Sequence, residues 1–356
     1  MAGHQWIVTV LAVCITVGVC SCSSGSKPDA KLVESGERWI LVGEYATPRV
    51  KGPPEENWIG TLELPKGSLA SLVDVPMKTP DGGTVLFPRV TYNEPKRVLI
   101  CSTQELPGPH TCEDVWRHDL ATGQSRWIAK GKWNKTRGFA WSPDGNKVAF
   151  VASTRGSPAA LVVQYDLDAD RLEEVTGEAF GNRDDPQEGD SSIRPRRPVY
   201  SEDGNWLYYV SVDRHVMVVN LRTRDCTKLP FSRAVAVLTV KGAHLIYSRE
   251  LATGRDARFE VVKVKLDAPD DLAAEQVHSA QGVLWGNYVS PSRRFVLLTA
   301  RVGYGSETRL IDVDQGVSLR AEGLSKEGFT PQSTAWTGRT QRASRKEPPR
   351  GAAQDH

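Results

Sequence analysis

The sequence predicts an all-β chain folded as a six-bladed β-propeller of four-stranded blades, and three observations carry that prediction. A β-hairpin with its turn written into the residues runs from Phe139 to Phe150. Related hairpins recur at roughly 40 to 60 residues, a propeller-blade period. Each is followed by a second hairpin, so every period holds four strands.

The first hairpin reads Phe139-Ala140-Trp141-Ser142-Pro143-Asp144-Gly145-Asn146-Lys147-Val148-Ala149-Phe150. Pro143 presets the φ of a turn, Asp144 can bond the local backbone, and Gly145 tolerates the left-handed conformation before the return strand. The flanking apolar residues alternate at a strand's two-residue period. The nearest copy is Val199 to Tyr209, where Glu202 replaces the proline and Asp203-Gly204 survives. Further copies are Val90 to Ile100, Leu238 to Tyr247 and Val289 to Leu298, the last with Arg293-Arg294 in its turn.

The second hairpins run through Val115 to Ile128, Val162 to Val175, Met217 to Leu229, Val261 to Val277 and Thr308 to Leu319. The clearest turn among them is Asp119-Leu120-Ala121-Thr122-Gly123. Ahead of these five periods come Arg38 to Tyr45, Trp58 to Leu64 and Ser68 to Val75, three strands lacking an innermost partner. Thr330 to Gly338 supplies the missing strand, with Ala335-Trp336 aligned to Ala140-Trp141. A C-terminal strand paired with the N-terminal three closes the ring and removes open sheet edges.

The Trp141 to Phe150 run, with the turn at residues 119–123, resembles the repeat of TolB-type six-bladed propellers. The propeller of prolyl oligopeptidases carries the same repeat. The resemblance spans about residues 38–338 and is strongest in the copies at 139 and 199. It implies protein or peptide partners engaged at a loop-rich mouth.

Four segments follow: an export signal at 1–21, a polar tether at 22–37, the propeller at 38–338 and a disordered basic tail at 339–356. The apolar run Trp6 to Val19 is shorter than the ~20 residues of a spanning helix and suits an export signal. Val19-Cys20-Ser21-Cys22 resembles a bacterial lipobox with Cys22 as the lipidated residue. Cleaved secretion and an uncleaved anchor are the alternatives. The lipidated form predicts a membrane-anchored lipoprotein on the periplasmic or extracellular side of the cell envelope.

A net charge of +2, from 45 Lys and Arg against 43 Asp and Glu, gives no footprint for nucleic acid. The partners expected are an envelope protein or an acidic peptide segment, with the chain itself a monomer. The innermost strands begin at Arg89, Arg137, Arg197, Asn287 and Gln332, a poor cation site and a candidate anion-binding channel mouth. Pairing of each arginine with a nearby loop acid is the competing reading. Trp133, within the basic run Lys130 to Lys135, is a candidate interface anchor.

Cys101 and Cys112 bracket a Pro-Gly-Pro loop and form a plausible disulfide in an exported chain, with two free thiols as the other reading. The sequence lacks a nucleophile elbow, and its seven histidines fall at no metal-ligand spacing. Asp166-Leu167-Asp168-Ala169-Asp170 starts like a calcium loop, but Arg171 stands where such a loop needs glycine, so a solvated turn is expected. No catalytic residue, metal or cofactor is assigned, and the expected function is a non-enzymatic binding scaffold. The alternative is an enzyme or small-ligand binder with its site in the central channel.

Overall fold

A computed structural model describes residues 35, 37–46, 57–66, 68–73, 77–85, 89–103, 114–154, 160–179, 197–211, 213–253, 256–270, 272, 274–302, 305–320 and 329–338. The export signal, Cys22 and the basic tail lie outside the described residues. Blade 1 begins with β1 (Trp39–Ala46), β2 (Asn57–Leu64) and β3 (Ser68–Val73). A small hairpin follows, β4 (Met77–Lys78) with β5 (Thr84–Val85), which the sequence reading did not anticipate.

Blade 2 holds β6 (Arg89–Asn93), β7 (Val98–Ser102), β8 (Val115–Asp119) and β9 (Ser125–Ala129). Blade 3 holds β10 (Trp133–Trp141), β11 (Lys147–Thr154), β12 (Ala160–Asp166) and β13 (Arg171–Ala179). Blade 4 holds β14 (Val199–Tyr200), β15 (Trp206–Val210), β16 (Val216–Asn220) and β17 (Cys226–Lys228). Blade 5 holds β18 (Ala234–Lys241), β19 (His244–Ala252), β20 (Arg258–Lys265) and β21 (Glu275–Gln281). Blade 6 holds β22 (Val283–Val289), β23 (Phe295–Val302), β24 (Gly305–Asp312) and β25 (Val317–Arg320). The last strand, β26 (Phe329–Thr334), returns to pair antiparallel with β1, Leu41 opposite Thr334 and Tyr45 opposite Phe329.

The result is six antiparallel sheets of four strands, blade 1 in the order β26-β1-β2-β3 and the others in chain order. The inner strands β26, β6, β10, β14, β18 and β22 touch one another in that order and back to β26, which puts them around one central channel. The core is divided accordingly. Six apolar clusters lie one at each blade junction, from the Ile40, Val90 and Trp116 cluster between blades 1 and 2 to the Trp39, Leu297 and Phe295 cluster between blades 6 and 1. Strand alternation explains the division: in β15, Leu207 and Tyr209 face blade 3, while Tyr208 and Val210 face blade 5. Each sheet therefore buries both faces, and a blade removed from the ring would expose both.

Trp133 corrects an expectation. Rather than anchoring a partner, it is fully buried in the junction of blades 2 and 3, edge-on to Phe150 at 5.5 Å. The basic run around it misled the reading, because Lys132 lies over the indole at 5.3 Å and covers it from solvent.

Candidate functional site

Two sets of turns define two ends of the channel. The short-turn end is built by the repeated hairpin turn, and its chemistry follows from the sequence. Ser142 Oγ donates to Asp144 at 2.5 Å and accepts from the Lys147 backbone N–H at 2.9 Å, while Asp144 accepts from Asn146 N–H at 3.0 Å. Ser201, Asp203, Asn205 and Trp206 repeat the arrangement in blade 4. Gly145 and Gly204 take φ of +71° and +74°, as the turn requires. In blade 6 the same position is Arg293, at φ +61°. A non-glycine residue there costs free energy, so something must hold it.

What holds Arg293 is the channel itself. Its guanidinium donates to the Val240 carbonyl of blade 5 at 2.8 Å and to the Ser201 carbonyl of blade 4 at 3.1 Å. Trp336 ties three further blades together from the other side. Past β26 the chain pairs in parallel with Asn93 of blade 2, Trp336 N–H donating to the Tyr92 carbonyl at 2.8 Å and Glu94 N–H to the Trp336 carbonyl at 2.9 Å. The indole N–H then reaches the Pro143 carbonyl of blade 3 at 3.3 Å. A side chain that skips a blade in a six-membered ring passes over the channel. Arg293 does so from blade 6 to blade 4, whereas Trp336, its backbone already paired to blade 2, extends the C-terminal strand's end over to blade 3.

The remaining turns of this end are tied to their neighbours. Arg38 is paired with Glu94 at 2.6 Å, Asn93 Nδ2 donates to the Gly145 carbonyl at 2.7 Å, and Ser292 donates to Glu37. Gly204 lies against Pro143, and Gly242 N–H points at Glu202 at 3.4 Å. Every pair of adjacent blades is thus laced at this end.

The opposite end receives the predicted arginines differently from one another. Arg89, at the start of β6, donates to the Thr136 carbonyl of blade 3 at 2.9 Å. Arg197 extends from blade 4 across the channel to blade 6, its guanidinium carbon 5.7 Å from the centre of the Tyr288 ring. Burial pushes its pKa below the ordinary guanidinium value, and the Tyr288 oxygen works against that shift. Tyr288 in turn donates to the Pro331 carbonyl of β26 at 2.6 Å. Gly286 is required beneath it, since a Cβ there would lie 2.8 Å from the tyrosine oxygen.

Arg137 lies in β10 and Gln332 in β26, but their side chains lie outside the described residues. Asn287 lies in β22, and its Nδ2 is buried with no hydrogen-bond partner among the described residues. The same holds for Thr239 Oγ1 on the neighbouring inner strand β18. Glu94, a loop acid close to Arg89 in sequence, is paired with Arg38. The β4–β5 hairpin is fixed to the connection between blades 2 and 3 by Lys130 and Asp81, 2.7 Å apart, which holds the Asp81 pKa down at about 2.

Sequence reasoning missed Arg293, Trp336 and Tyr288. Arg293 had left a signal, an arginine where the repeat places glycine. Trp336 left a misleading one, because it aligns with Trp141, whose ring packs against the junction of blades 2 and 3. The acidic run at 166–170 is a turn as expected: Asp166 accepts from the N–H groups of Asp168 and Ala169, and Asp170 pairs with Arg126. Among the described residues there is no cluster of metal-ligating side chains. Cys101 is a buried free thiol whose pKa burial raises, and Cys112 lies outside the described residues.

A six-bladed propeller closed by its C-terminal strand is the class of protein defined by this geometry. Among solved structures the chain is similar to TolB from Acinetobacter baumannii, at 14% identity and a TM-score of 0.50, covering 84% of this chain and 65% of that one. The chain thus spans just under two thirds of that protein's length. It is also similar to a putative TolB from Agrobacterium tumefaciens, at 12% identity and a TM-score of 0.51, covering 80% of this chain and 89% of that one. The tricorn protease shares the propeller, at 10% identity and a TM-score of 0.50, over 76% of this chain and 29% of that one. At these identities the likeness is one of fold, and the fold is the TolB-type propeller. By sequence, no protein family and no curated protein matches the chain.

Proposed function

We propose that this chain is a non-enzymatic scaffold that binds a protein, or an acidic peptide segment of one, at the loop-rich mouth of its propeller. It works at a bacterial cell envelope, exported and held to a membrane through lipid on Cys22. The observation that carries the reading is the difference in side-chain chemistry between the two ends of the channel. One end is laced by Arg293 and Trp336. The other presents Arg89 and Arg197, and the sequence joins β1 to β2, β7 to β8 and β13 to β14 through its long connections, at 47–56, 104–113 and 180–196. Guanidinium groups near a half-enclosed mouth favour carboxylates through paired, charge-assisted hydrogen bonds. The similarity to TolB structures is consistent with an envelope location.

The test is crosslinked capture from envelope fractions by the full chain and by an Arg89→Glu, Arg137→Glu, Arg197→Glu variant. The variant is expected to lose the captured partner, and unchanged capture rejects the reading. A second reading, a small-ligand or catalytic site within the channel, is favoured by the buried Asn287 Nδ2 and Thr239 Oγ1. A metal assay and a ligand screen that respond to Asn287→Ala, with partner capture intact, select that reading instead.

A further inference from the structure

We propose that the cleft between blades 5 and 6 on the short-turn face is a second binding site, one that takes a small carboxylate with an apolar body. The cleft encloses about 410 Å³, within the range of small-molecule sites. Its floor is apolar, Ile246 from blade 5 and Val313 from blade 6. Its walls carry Lys241, Lys263 and His244, facing Asp314 and Glu202.

The charges are not equivalent. Lys241 bonds both oxygens of Asp314, at 2.5 and 2.6 Å, so that pair is internally satisfied and braces the cleft across the blade junction. Lys263 has no carboxylate partner among the described residues; its ammonium lies 3.5 Å from the Val313 carbonyl. An ammonium held over an apolar floor, with hydrogen-bond capacity to spare, selects an anion whose remaining surface is apolar. The carboxylate goes to Lys263, with the His244 ring beside it, and the hydrocarbon body goes against Ile246 and Val313. Glu202, reaching the cleft from the blade 4 turn, repels a second negative group and so disfavours dicarboxylates and phosphate. The site stands on the face opposite the arginine mouth and does not depend on the function proposed there.

A free short-chain acid and the C-terminal carboxylate of a peptide ending in an aliphatic residue offer the same chemistry. Isovalerate, its neutral analogue isovaleramide and acetyl-Gly-Gly-Leu separate them. The full chain, with labelled methyl groups, is titrated by NMR while the Ile246 and Val313 signals are followed. Isovalerate is expected to shift both saturably with a dissociation constant on the order of 1 mM. Isovaleramide should bind at least about tenfold more weakly, the worth of a charge-assisted hydrogen bond. Lys263→Met should weaken isovalerate similarly, Lys263→Arg should restore it, and Glu202→Gln should tighten it. Tighter binding of the tripeptide assigns the site to peptide ends, and equal or weaker binding assigns it to free acids. Equal affinity for acid and amide, or no saturable shift with either acid or tripeptide, overturns the proposal. The acid-amide comparison needs no variant, so it stands even where Lys263→Met fails to fold.

Discussion

Gly145→Ala tests whether the C-terminal crossing is part of the fold's stability or merely lies upon it. The φ of +71° costs an alanine about 1 to 2 kcal/mol whatever surrounds it. A methyl group at this position would also fall 2.6 Å from three carbons of the Trp336 indole. Forcing such a contact typically costs about 1 to 3 kcal/mol more. The expected total is therefore about 2 to 5 kcal/mol. Gly204→Ala is the control. It shares the turn and the φ, at +74°, but its nearest neighbour is Pro143 Cδ at an ordinary 3.4 Å, so only the backbone cost applies. Both changes restrict the unfolded chain equally, which removes that contribution from the comparison. Urea unfolding followed by circular dichroism, with midpoint and slope both recorded, measures the two costs. Adding Trp336→Ala should make Gly145→Ala behave like Gly204→Ala, a coupling a double-mutant cycle isolates. Equal costs for the two single glycine changes, or no coupling to Trp336, would refute the packing of the C-terminal segment onto the blade 3 turn.

Arg293→Gly should relieve about 1 to 2 kcal/mol of backbone strain but lose two hydrogen bonds from a charged donor, each worth about 1.5 to 3 kcal/mol. A net loss of stability is expected by urea unfolding, and a gain would show that the arginine does not hold the channel end. Asp312 is buried, which raises its pKa, but the Arg294 guanidinium at 2.8 Å and the Gln315 and Asp314 N–H groups more than reverse that, leaving it below the usual 3.8. Its stabilisation is complete above the unfolded value and is lost as pH falls through the lower folded value. The unfolding midpoint of Asp312→Asn should therefore fall less steeply with acid below about pH 4 than that of the native chain. Cys22→Ser should abolish incorporation of labelled palmitate in the producing bacterium and release the chain from the membrane fraction. Continued labelling would place the anchor elsewhere.

The repeat was legible because its determinants are local. Ser142, Pro143, Asp144 and Gly145 fix a turn through bonds reaching at most five residues, and alternation sorts each strand's side chains between two neighbouring blades. Closure by the C-terminal strand was legible too, since three strands without an inner partner at one end matched one strand without neighbours at the other. The β4–β5 hairpin was not, because two-residue strands leave no periodicity. The candidate mouth was only partly readable. Arg89 begins β6 as anticipated, but Arg197 stands two residues ahead of β14, and Arg137, Asn287 and Gln332 fall within their strands. Arg89 serves a backbone carbonyl and Arg197 lies across the channel on Tyr288.

By itself, then, the chain's order of residues determined six sheets, their strand order and the face on which short turns gather, all consequences of contacts between near neighbours. Only the assembled ring decided which side chains span it. Arg293 meets Ser201 across 92 positions, and Trp336 meets Pro143 across 193. Such meetings depend on the width of the channel and the level of each turn around it. Those quantities arise when all six apolar junctions pack together, and no single stretch of sequence encodes them.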